Sequence, residues 1–172
     1  QQNPNEPLES ESIIFELPDE KADLEGFMSN LRFRLRMGAY QAHQIEGYIS
    51  ELEEISNGRK IDNDTLSNIF ACLGELHRHR GDKGSKMDGY ISSSLSLNGK
   101  NTYAIMTKLD FLWERTPQQF HPSKVKKFEH QLMEIRNLLE ELELIDNSLF
   151  ESRDSDLAKK QDILHEAILN LG

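Results

Sequence analysis

Few side chains in the 172 residues can titrate near neutrality, bind a metal or attack an electrophile: six histidines and one cysteine. His43 follows Arg36 by seven positions, and residues seven apart share a face on a regular helix. His77 and His79 are two apart, so on a helix they diverge, and only a frayed or extended segment brings both to one ion. His121 and His130 flank the start of the last periodic segment, and a metal site there needs carboxylates from elsewhere. Cys72 lies between Ala71 and Leu73 with no neighbouring base, which predicts a buried, inert thiol. A single cysteine forbids an intrachain disulfide and cannot build a cysteine-based zinc site alone. No glycine-rich phosphate loop, nucleophile elbow or His-Glu-x-x-His helix is present. No catalytic residue, metal or cofactor is therefore expected.

Two segments resemble known helical sites. Ala42-His43-Gln44-Ile45-Glu46-Gly47 resembles the phosphorylatable segment of histidine phosphotransfer domains, in which an exposed histidine on a bundle helix precedes an aliphatic residue, then Lys and Gly. The resemblance implies His43 as phosphoacceptor. Ile45 and Gly47 match, whereas Glu46 replaces the Lys and reverses the charge beside the phosphoryl group. The spacing of Arg36 and His43 is similar to that of HEPN-type helical ribonucleases, and implies RNA cleavage by that pair at a dimer cleft. Met37 stands where that family has a polar residue.

The elements that must carry these residues are helices. The chain has 23 Leu and 13 Ile against one Val and four Thr, which favours helix over strand. Residues 1–18 form an acidic, proline-containing lead-in that reads as flexible, with Ile13, Ile14 and Phe15 as an apolar plug. From about residue 20 to 56, Leu24, Phe27/Met28, Leu31, Leu35, Ala42, Ile45, Ile49, Leu52 and Ile55 define one helical face. Gly26, Gly38 and Gly47 interrupt it and suggest a break or close contacts. Asp62 to Thr65 offer caps for a helix ending at Arg80-Gly81, and a weaker helix spans about 85 to 97. Asn101 or Thr102 caps the next, which ends before Pro117. Trp113 and the Phe and Tyr residues fall at core-like positions.

After Pro117 and Pro122 comes the strongest pattern: Val125, Phe128, Leu132, Ile135, Leu139, Leu142 and Leu149, with Asp146 interrupting one position. Cap-like residues between 146 and 156 favour a hairpin over one long helix. The expected fold is all-α: an irregular bundle of five or six helices, with residues 19–116 as the bundle. Residues 123–172 form a coiled-coil-like helix or hairpin that packs on the bundle or on a partner.

The net charge of −10 is uneven: −7 over residues 1–25, +4 over 26–128 and −7 over 129–158. Arg32, Arg34 and Arg36 point apart on a helix, and overall acidity makes nucleic acid an unlikely partner. No apolar run reaches the roughly 20 residues that span a bilayer, so no membrane is expected. One cysteine and no signal-peptide pattern suggest an intracellular setting, cytoplasmic or nuclear. The expected function is non-enzymatic protein–protein interaction, as scaffold, adaptor or self-assembling module. Its partner is another protein or a second copy, met through Phe128, Leu132, Ile135, Leu139, Leu142 and Leu149.

Overall fold

The computed structural model describes residues 21–58, 60–81, 84–116 and 126–169. These residues hold seven α-helices and no strand: α1 (Lys21–Arg36), α2 (Ala42–Gly58), α3 (Asn63–Arg80), α4 (Ser85–Leu97), α5 (Thr102–Glu114), α6 (Glu129–Ile145) and α7 (Asp156–Leu169). Short 3-10 turns at Lys126–Phe128 and Asn147–Phe150 bracket α6. The fold is all-α, with one helix more than the expected five or six. The acidic lead-in and its plug, His121, Val125, Pro117 and Pro122 lie outside the described residues.

The extra helix comes from Gly38. Its φ of 72° is left-handed, the conformation that a residue without Cβ adopts at least cost. The amide of Ala39 donates to Arg34 O at 2.8 Å and ends α1. The helical phase does not carry across this turn, so Ala42, assigned to the apolar face, is exposed while Gln44 is buried. The other boundaries follow the capping residues. Asp62 accepts from the Thr65 amide at 3.2 Å to start α3, and Gly81 ends it at φ 89°. Asn101 Oδ1 accepts from the amides of Tyr103 and Ala104 at 3.1 and 3.2 Å to start α5.

The chain divides into two compact units, Gln1–Ala104 and Ile105–Gly172. In the first, α1 to α4 enclose a core that includes Met28, Leu35, Tyr48, Leu52, Leu73 and Leu76. The α3–α4 approach is close. A Cβ on Gly74 would lie 2.6 Å from Ile91 Cδ1. Ser67 Oγ donates to Ser94 O at 2.8 Å, and Ser94 Oγ returns the bond to Ser67 O at 2.7 Å. Asn101 Nδ2 adds 2.9 Å bonds to Ser67 Oγ and Asn68 Oδ1. These buried polar atoms satisfy one another, which makes their burial tolerable and fixes the helix register.

The division falls inside α5. In the second unit, Gln131 Nε2 donates to Leu112 O at 2.9 Å, and Lys108 pairs with Glu134 at 3.4 Å. Asp146 turns the chain after α6 by accepting from the Ser148 amide at 3.1 Å, and Ser155 Oγ caps α7 through the Ala158 amide at 3.1 Å. Residues 124–171 are therefore a hairpin over their described part.

Candidate functional site

The residues with the greatest chemical capacity gather in unit 1, where α1 ends, α2 begins and α3 ends. Glu75 on α3 is 1% exposed and lies between two guanidinium groups, Arg36 Nη2 at 3.5 Å and Arg78 Nη2 at 3.6 Å. A carboxylate this deep is tolerable only when paired. Arg36 and Arg78 reach it from different helices, so the ion cluster also ties α1 to α3. The three arginines of α1 diverge: Arg32 is buried with its guanidinium 3.6 Å from the Tyr103 ring centre, while Arg34 donates to Ala39 O at 3.3 Å.

Arg36 and His43 do not share a helix face, because the turn at Gly38 separates them: Arg36 is the last residue of α1 and His43 lies in the first turn of α2. The geometric premise of the ribonuclease resemblance is therefore lacking. His43 is exposed, as a phosphoacceptor requires. Glu46, one turn on, pairs with Arg80 of α3 at 3.0 Å.

His77 and His79 diverge as helical spacing requires. Arg78 Nη2 lies 3.0 Å from His79 Nε2, and arginine can only donate, so that nitrogen accepts. The proton of the neutral ring then sits on Nδ1 and is donated to the Tyr40 hydroxyl, 3.0 Å away. Burial, reinforced by the Arg78 and Arg36 charges, pushes the His79 pKa down to about 4. His77 is buried, stacks on Tyr90 at 5.4 Å between centroids, and accepts from Arg80 Nη2 through Nδ1 at 3.0 Å. The Tyr90 hydroxyl donates to Glu53, and burial plus that bond raise its pKa. Cys72 is buried, and burial pushes its pKa up to about 12. Among the described residues no three histidine, cysteine or carboxylate side chains form a metal-binding group.

The partner seam expected in the C-terminal segment lies inside the chain. Leu132, Ile135, Leu139 and Leu142 are buried, while Phe128 and Leu149, both in 3-10 turns, are partly covered. Burying these side chains is what drives the hairpin to close. What remains outside is different. Leu144 is 89% exposed and Leu169 67%. Between α6 and α7 runs a groove of about 400 Å³, floored by Leu139, Leu164 and Ile168 and edged by Arg136, Glu140, Glu143 and Asp162. Leu144 follows Glu140 by one turn, and Leu169 follows His165, another groove residue, by one turn. Neither leucine lies on the seam, and that mismatch is the signal available in the sequence. The aromatic expectation also needs correcting at Phe33, 54% exposed, and at Tyr103, whose ring sits under Arg32 near the surface.

No helix among the described residues is long and apolar enough to cross a membrane. Comparison with protein-family models, curated proteins and solved structures finds no match to this chain.

Proposed function

We propose that this protein is a non-enzymatic helical interaction module whose partner surface is the outer edge of the α6–α7 hairpin. The observation that carries this reading is the α6–α7 groove of about 400 Å³, with Leu139, Leu164 and Ile168 in its lining, while Leu144 and Leu169 stay exposed near the C-terminal ends of the two helices that form it. An apolar groove between two helices is the form of surface on which a partner helix docks. The polar cluster of unit 1 favours the same reading. Glu75 is paired with arginines, and His79 bonds to Tyr40 and Arg78, so these groups act as structural ties.

The test is affinity capture with the intact chain against a Leu144→Asp/Leu169→Asp variant. The reading expects a protein retained by the parent to be lost from the variant, with the melting temperature unchanged. Identical captures by both chains would refute it.

A further inference from the structure

The chemistry of the groove defines its occupant, and this step rests on the interaction reading above. We infer that the α6–α7 groove binds a basic amphipathic helix from another protein, its apolar stripe on the floor and its Lys or Arg side chains on the rim. Three observations converge. First, Leu139, Leu164 and Ile168 line its floor, and the exposed Leu144 and Leu169 stand outside it near the C-terminal ends of α6 and α7. Second, the rim holds three acids, Glu140, Glu143 and Asp162, against one arginine, Arg136, and residues 129–158 as a whole carry −7. The rim acids have cationic neighbours, Arg136 at 3.8 Å from Glu140 and Arg153 at 2.5 Å from Asp162, but both pairs are exposed. Exposed pairs are worth about 0–1 kcal/mol, so an incoming cation can exchange with them. Third, Gln131 and Glu134, which meet α5, lie on a different face of α6 from Glu140 and Glu143, at about 100° per residue. The groove is thus the open third position beside a helical pair.

A helix fits this position better than an extended peptide. The described residues contain no sheet edge to add a strand to, and helix-in-groove recognition needs an apolar floor with polar margins. From Arg136 to Glu143 the wall rises roughly 10 Å, at about 1.5 Å per residue, enough for about two turns of ligand. Rim charge would set orientation and association rate, and the floor would set residence time.

The probe is a synthetic 14-residue helix of Leu and Lys with the leucines on one face, titrated into the full chain by calorimetry. Two control peptides accompany it: a scramble with the same charge and no stripe, and a version with Glu for Lys. The parent should prefer the striped basic peptide to both controls by about tenfold or more. Glu140→Lys/Glu143→Lys/Asp162→Lys should weaken that binding by about tenfold, and the neutral triple Glu140→Gln/Glu143→Gln/Asp162→Asn should fall between. Glu54→Lys/Asp64→Lys/Asp88→Lys makes the same change in net charge on unit 1, and should leave binding within about twofold.

Equal losses in the two Lys triples would mean that net charge alone attracts the peptide, which overturns the groove assignment. Equal binding of striped and scrambled peptides also overturns it, as does a concentration-dependent dimer dissolved by the groove triple, because the occupant is then a second copy. If Leu144→Asp/Leu169→Asp abolishes capture while the basic peptide ignores the groove, the interaction reading stands and the basic-helix assignment falls.

Discussion

In unit 1, α3 and α4 meet through a glycine and two serines: Gly74 admits Ile91, and the Ser67 and Ser94 hydroxyls exchange bonds with each other's backbone carbonyls. In unit 2, α6 and α7 close over leucines, with polar contacts such as Arg153 to Asp162 exposed. Directional bonds between small buried groups allow one register and little sliding. A leucine seam is less directional, and Leu144, on the opposite face of α6 from it, stays in solvent. The first arrangement suits a closed scaffold, and the second suits a surface that receives a partner.

Removing seam volume should produce the largest effect. Leu142→Ala is expected to cost about 2–5 kcal/mol in urea unfolding, since a fully buried leucine leaves a cavity. Next comes the polar network: Asn101→Ala removes the α5 cap and orphans buried acceptors, and should cost about 2 kcal/mol. Ser148→Ala, at the exposed turn of unit 2, should cost less than about 1 kcal/mol. Comparable losses at Asn101 and Ser148 would erase the contrast between the units.

Gly74→Ala sets a helix-propensity gain of about 1 kcal/mol against overpacking of about 1–3 kcal/mol at Ile91. The account expects net destabilisation that shrinks when Ile91→Val removes the obstructing methyl. A double-mutant cycle with no coupling would place the close approach elsewhere.

His79 supplies a pH signature. Its folded pKa, about 4, lies below its usual 6.5, so between these values the unfolded chain binds the extra proton. The His79 contribution is thus fully present above pH 6.5 and lost as pH falls toward 4. After discounting for solvent screening at this partly exposed ring, the loss is on the order of 1–2 kcal/mol. The stability difference between the parent and His79→Gln should carry this slope, and a flat difference would show that the ring is not held neutral.

The boundaries were largely readable where capping chemistry is local. Asp62, Gly81 and Asn101 each act within four residues of the helix end they define. Gly38 was readable as a suspect residue, but not the loss of phase beyond it, which put Ala42 on the wrong face. The cluster around Glu75 was hidden for a different reason. Its pairing needs Arg36, 39 positions earlier, and until the helices pack, a charged residue on a helix looks solvated. The seam was readable as apolar periodicity, but what covers it depends on whether the chain turns at Asp146. The groove follows only once that turn is made.

Hydrogen exchange of the full chain, with and without the Leu/Lys peptide, tests the central claim most directly. The account predicts that added protection concentrates in residues 136–144 and 161–169, with α1 to α4 unchanged. Protection concentrated in α1 to α4 would contradict it.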